Sequence, residues 1–290
     1  MQTETLTLNG QPFYIRRWGD PALPPVLLLH GFPEYGGAWE PLARHLADRF
    51  HCIAPDQRGY GRSWAPEGVQ NYAMSALVAD MAALISHTGA PLTVIGHDWG
   101  AGVAYGLAMF RPELVARLII ANGVHPVPFQ RALAAGGAQA EASQYINFLR
   151  RPDSHKILAA NDFEKLLALF SAKMDLSWLS GELRAAYKAE WARDERLNTM
   201  IHWYRASPLQ VPEPGQALTG LPDFPRDKLL VRCPHLLIWG QDDTALLPEA
   251  TEGLEHYAPD LTRVTLPGVD HWLLHQTPAE VARRIKDWMP

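Results

Sequence analysis

Apolar and polar positions alternate with two periods along this chain, and the two periods take turns. Glu4–Leu8 and Pro12–Trp18 alternate residue by residue, as a starting β-hairpin does, and Pro25–Leu29 is an unbroken apolar run of strand length. Trp39–Asp48 then repeats its apolar residues at helical spacing, His51–Ala54 reads as a strand and Tyr72–Thr88 as a helix. Leu92–Gly96 is a strand, Ala101–Phe110 a helix and Leu114–Ala121 a further strand. Repeated β-α-β units of this kind predict an α/β fold with a mostly parallel sheet and helices on both faces, because parallel neighbours need crossover connections.

From about Val124 to Arg205 the period stays helical and no strand interrupts it; a proline-rich, irregular stretch, Pro208–Pro225, then leads back to strands at His235–Trp239 and Thr262–Leu266 and a closing helix at Pro278–Trp288. Residues 1–124 and 229–290 are thus expected to form one core domain, with 125–228 an inserted helical cap. Ligands of open parallel sheets bind beyond the carboxyl ends of the strands, so an insertion at such an end roofs the site.

Composition narrows the partners. With 26 Lys+Arg against 31 Asp+Glu, a net charge of −5 and no long run of either sign, nothing in the charge pattern points to a nucleic-acid groove or a membrane patch, and a small neutral or weakly charged partner is expected. Its 47% hydrophobic residues suffice for a sizeable core. The N-terminus lacks the basic start and apolar run of a secretory signal, and Cys52 and Cys233 are too few for a disulfide framework, so a reducing, cytoplasmic setting is expected.

The candidate chemistry begins at Gly96-His97-Asp98-Trp99-Gly100, which has the spacing of a nucleophile elbow with aspartate where serine is usual. Small residues two places either side let the backbone turn sharply and push the central side chain into the site. The helix N-terminus behind it favours an ionised carboxylate. Such a group attacks saturated carbon and leaves an alkyl ester, whereas serine acts on carbonyls. Taken alone, the pentapeptide also reads as a strand-to-helix turn with Asp98 as a helix cap.

Other strand ends supply partners. In His30-Gly31-Phe32-Pro33-Glu34 the Phe32 N–H, with that of Trp99, forms a candidate oxyanion hole, though a Gly-Pro turn is the plainer alternative. Gly240-Gln241-Asp242-Asp243 and Val269-Asp270-His271-Trp272 follow two later strands, giving the order nucleophile, acid, histidine of an α/β-hydrolase triad. His271 is the expected base and Asp243 its orienter; Asp242 is an alternative, and His275 the nearest rival among twelve histidines.

With Asp56-Gln57-Arg58-Gly59-Tyr60-Gly61-Arg62-Ser63 added, these motifs make nearly the whole chain resemble an epoxide hydrolase of the α/β-hydrolase superfamily, with relatives among the hydrolytic dehalogenases. The resemblance implies an α/β-hydrolase fold with an eight-stranded, mostly parallel sheet and a helical cap. It also implies an Asp-His-Asp triad, no cofactor or metal, and a small epoxide plus water as reactants; a monomer or homodimer is expected. Two cap tyrosines of that family hydrogen-bond the epoxide oxygen, and Ser143–Phe148 and Ile201–Arg205 match their segments, marking Tyr145 and Tyr204. Tyr145 falls on a helical face with Ala142, Ile146 and Leu149, and Tyr204 extends the stripe Leu197, Met200, Ile201. Glu34 and His97 position water in the family reading.

Dehalogenases share the aspartate, so dehalogenation is the second expectation, although Trp99, Tyr145 and Phe32 stand where Arg, His and Asn or Glu are usual in them. A non-catalytic receptor on the same scaffold is a third. Activity is expected to fall with protonation of the histidine and ionisation of the phenols, whose ordinary pKa values are about 6.5 and 10.

Overall fold

The computed structural model describes residues 1–290. Eight strands form one sheet: β1 (Gln2–Leu8), β2 (Gln11–Trp18), β3 (Pro25–Leu29), β4 (His51–Pro55), β5 (Leu92–His97), β6 (Val115–Ala121), β7 (His235–Gly240) and β8 (Leu261–Leu266), in the order β1-β2-β4-β3-β5-β6-β7-β8. Only β1–β2 and β2–β4 pair antiparallel; the other neighbours are parallel.

Both faces of the sheet are covered, which is why its central strands carry apolar residues on both faces rather than at alternate positions only. Leu27 and Leu29 enter one core with Val94 and Leu237, while Val26 and Leu28 enter the other with Ile95, Leu236 and Ile238. On the first face lie α2 (Met74–Thr88) and α3 (Trp99–Phe110); the second carries α1 (Glu40–Leu46) and, after the short α10 (Leu273–Gln276), the last helix α11 (Pro278–Trp288). Helix boundaries moved slightly from expectation. Residues 36–39 form a 3-10 turn ahead of α1, and α2 begins at Met74 after a second such turn at Val69–Tyr72.

Between β6 and β7 run six helices: α4 (Pro126–Ala134), α5 (Ala138–Ala142), α6 (Gln144–Leu149), α7 (Ser154–Ser171), α8 (Gly181–Trp191) and α9 (Arg196–Ala206). The face expected to join Ala142 to Tyr145 belongs to two short helices, since Ser143 ends α5 and Tyr145 lies in α6. α7 is broken at Ala160–Phe163, where Asn161, Asp162 and Phe163 take positive φ.

The inserted helices hold the core by side chains that reach its loop carbonyls. Trp203 Nε1 donates to Arg58 O at 3.0 Å, Thr199 Oγ1 to Gly59 O at 2.7 Å and Arg196 Nε to Gly61 O at 2.8 Å. The segment Asp56–Ser63 thus serves as the seat for α9, itself braced from below where the buried Asp56 pairs with Arg16 and accepts from Gly36 N. Arg150 fastens the return segment, donating to the carbonyls of Tyr204, Ser207 and Leu209. No helix is long and apolar enough to cross a membrane.

Candidate active site

Asp98 sits between β5 and α3 with φ 49° and ψ −122°, a conformation that L-residues rarely hold. Packing enforces it. A Cβ on Gly100 would stand 2.0 Å from Leu29 O, and one on Gly96 2.7 Å from Ala101 Cα, so glycine at both places is what lets the turn close. Gly31 has a different duty: its Cβ would lie 2.2 Å from Asp98 Oδ1, in the space the carboxylate fills. Asp98 makes no side-chain cap to its own helix, so the capping alternative fails and the carboxylate is free to face the cavity.

Phe32 N–H donates to Asp98 Oδ1 at 2.7 Å. Burial pushes the carboxyl upward from its ordinary range, opposed by His271 and His97 and by the N–H groups of Phe32 and Trp99. The helix N-terminus was expected to favour the ion outright; desolvation outweighs it here, because a buried charge loses more hydration than two N–H groups return.

His271, after β8, points Nδ1 at Asp243 Oδ2 at 2.7 Å and Nε2 towards Asp98 Oδ2 at 3.8 Å. Of the two carboxylates after β7, Asp243 is buried and Asp242 exposed, which decides between them geometrically. Asp243 is fully used: Oδ1 accepts from Ala245 N and Leu246 N, and Oδ2 also from Asn122 Nδ2 at 2.7 Å. Burial acts against the Asp243 ion, but His271 and these donors win and hold its carboxyl below the usual range. Burial likewise acts against charge on His271. The Asp243 carboxylate, with Asp98 and Glu34 beyond it, overcomes this and raises the imidazole to about 9, well above the ordinary value used to anticipate its titration.

Tyr145 and Tyr204 converge from α6 and α9, with ring centroids 6.1 Å apart at 79°. Tyr204 also meets Trp99 and Phe32 edge to face, at 5.0 and 5.2 Å, which fixes its ring directly above the elbow. Neither hydroxyl is spent on a backbone carbonyl, unlike that of Tyr72, which donates to Pro66 O at 2.7 Å. Burial pushes both phenols far above their ordinary value, with Asp98 next for Tyr145 and Tyr145 next for Tyr204, so the alkaline loss anticipated near 10 moves upward.

Two largely apolar cavities, about 230 and 220 Å³, share Asp98, Tyr145 and Tyr204. One extends past His271 to Phe170, Met174 and Trp272; the other runs along α3 past Trp99, Gly102 and Met109 to Leu209. The carboxylate and the two hydroxyl-bearing rings therefore stand where two arms meet.

Glu34 and His97 lie elsewhere. Both are buried and neither lines either of these two cavities. Glu34 Oε1 accepts from Tyr187 Oη at 2.8 Å and from His275 Nε2 at 2.7 Å, and Oε2 lies 3.2 Å from His97 Nδ1. Burial opposes the ion, yet His275 and His97 outweigh it and hold the carboxyl well below the usual range. His97 Nε2 reaches His271 O at 2.9 Å. His275, the rival to His271, is thereby occupied in a layer behind the site.

Sequence reasoning missed Asn122, Tyr187 and Trp178. Asn122 was findable, since it follows β6 directly in Ala121-Asn122-Gly123, the same kind of strand end that carries Asp98, Asp243 and His271; its Oδ1 also accepts from Gly240 N at 2.6 Å.

The doubly covered sheet, the elbow and the order of the strand-end loops define an α/β hydrolase, and the chain belongs to that family: its profile, described as alpha/beta hydrolase fold, matches residues 24–278. Among relatives, the chain is 30% identical over 292 residues to the AB hydrolase superfamily protein YfhM of Bacillus subtilis (strain 168), covering 100% of this chain and 98% of that one. It is 30% identical over 285 residues to Epoxide hydrolase 4 of Homo sapiens, covering 96% of this chain and 75% of that one. A solved structure described among novel epoxide hydrolases of the α/β hydrolases superfamily, from metagenomes of hot environments, superposes with a TM-score of 0.89 at 35% identity, covering 99% of this chain and 97% of that one.

Proposed function

We propose that the protein hydrolyses an epoxide to a vicinal diol through an alkyl ester on Asp98. The observation that carries the reading is the meeting of Asp98, Tyr145 and Tyr204 at the junction of two apolar cavities. A nucleophile faces two hydroxyl donors there, which is what ring opening of a neutral, strained ether needs. The names of the similar proteins point the same way.

Asp98 forms a C–O bond to one ring carbon as the carbon–oxygen bond of the ring breaks; the electron pair goes to the oxygen, which takes a proton from Tyr145 or Tyr204. Water then loses a proton to His271, oriented by Asp243, and attacks the Asp98 carbonyl carbon. The N–H groups of Phe32 and Trp99 hold the oxyanion, one such donor being typically worth about 10²- to 10³-fold in rate; collapse breaks the bond from the acyl carbon to the diol oxygen, which takes the remaining proton of the attacking water, and Asp98 is left as a carboxylate. The proton on His271 returns through solvent to the phenolate, so the cycle closes without cofactor. Residues 125–228 act as the cap that supplies the tyrosines and excludes bulk water.

An aryl epoxide, a haloacetate and a simple ester, offered in parallel, test the reading. Diol from the first, with no halide or carboxylic acid from the others, is expected; halide release would transfer the assignment to dehalogenation.

A further inference from the structure

His275 is tied down in a way that a helix-surface residue is not. Its ring lies flat on the Trp178 indole, with centroids 3.8 Å apart at 4°, while Nε2 meets Glu34 Oε1 at 2.7 Å and Nδ1 is buried without a partner. An unpartnered buried nitrogen costs stability, so the contacts on the other side of the ring must hold it there.

The hydrogen count of the neighbouring groups shows where those contacts lead. His271 O can only accept, so His97 Nε2 donates to it, and the other ring nitrogen, Nδ1, lies 3.2 Å from Glu34 Oε2. Glu34 is held as an anion in a buried place, and Tyr187 and His275 contact its other oxygen. The chain of contacts therefore runs from Trp178 and Tyr187, both between β6 and β7, through His275, Glu34 and His97 to the backbone of His271. The His97 and His271 rings are 4.7 Å apart.

We propose that His275, seated on Trp178, is a positioning residue for the second half-reaction: through Glu34 and His97 it sets the backbone from which His271 activates water. This rests on the two-step reading above. The first half-reaction depends on it less, because Asp98 is aligned by Phe32 N–H and faces tyrosines outside this layer, and His97 reaches Asp98 only through its charge.

The test is rapid-quench intact mass spectrometry with styrene oxide, following adduct formation and decay in the native enzyme, His275→Leu and His275→Gln. With leucine, adduct formation within threefold of native is expected, decay at least tenfold slower, and adduct accumulating; glutamine, which restores an N–H towards Glu34, is expected to recover most of the decay rate. Equal slowing of both steps, unchanged decay with leucine, or no recovery with glutamine overturns the proposal. Should the leucine variant not fold, Trp178→Leu carries the same test, since it removes the stacking plane and leaves every hydrogen-bonding group of the chain of contacts in place. A native enzyme that forms neither adduct nor diol would instead sink the two-step reading itself.

Discussion

His271 Nε2 stops 3.8 Å from Asp98 Oδ2, outside hydrogen-bond reach. A serine nucleophile would need its histidine in contact; a carboxylate has no proton to surrender, so His271 is left to act on an attacking water in the second step. The two steps should therefore come apart. His271→Gln is expected to form the alkyl ester at near-native rate and to retain it, seen as a stable mass increase, whereas Asp98→Ala is expected to form none. In ¹⁸O-water a single native turnover should label Asp98; label confined to the diol would contradict the ester.

Tyr145 and Tyr204 share one task from two helices. Losing one hydrogen bond to a charge-bearing oxygen costs about 1.5–3 kcal/mol, or about ten- to a hundredfold in rate. Either Tyr→Phe change should slow adduct formation by that order, and both together should remove it. Adduct formation surviving the double change would show that the acid lies elsewhere.

The charge of Asp98 helps to hold His271 up at about 9, and alkylation removes that charge. The base should consequently titrate lower in the ester than in the free enzyme, and decay of the ester should lose its rate only below the free-enzyme value. Adduct decay measured against pH, beside an NMR titration of the free imidazole, checks the order. Stability follows the same linkage with a definite sign. A folded-state pKa raised above the unfolded value of about 6.5 contributes fully below that value and is lost as pH rises through about 9. The destabilisation of His271→Gln by thermal or urea unfolding should shrink from pH 6 to pH 10; a cost that grew would reverse the assignment.

Asn122 holds Gly240 N and Asp243 Oδ2 at once. Asn122→Ala should leave a buried donor without a partner and cost about 1–3 kcal/mol in urea unfolding. Because Asp243 then orients His271 less firmly, ester decay should slow more than ester formation. Native-like decay in a destabilised variant would mean that Asn122 only supports the loop.

Gly102 lies one helical turn beyond Asp98 and borders the arm along α3. A Cβ there meets Met74 Cε at 3.4 Å, ordinary contact with the end of a flexible side chain, so the helix backbone has room for a Cβ. Gly102→Val should fill that arm and lower kcat/KM for epoxides substituted on both carbons by tenfold or more, while leaving singly substituted ones little changed. Equal losses on both would show that the arm does not receive substrate.

Much of this was legible in the chain because it is fixed locally. Hydrophobic period separates strand from helix, and unbroken apolar strands announce a sheet covered on both sides. Glycine two places either side of Asp98 announces the elbow, because only a residue without Cβ passes Leu29 O there. The order of the strand-end loops then places aspartate, acid and histidine at one edge, since parallel strands all end there. Tertiary structure decided what depends on packing between distant segments. It buried Asp243 and exposed Asp242, brought Tyr145 and Tyr204 from separate helices to one ring pair, and broke the helical face between Ala142 and Tyr145. Glu34 was turned away from the cavity into a layer with His97 and His275. Side-chain direction in a loop, and the balance of desolvation against neighbouring charge that raises His271 and Asp98, are sums over contacts far apart in sequence, and no local pattern encodes them.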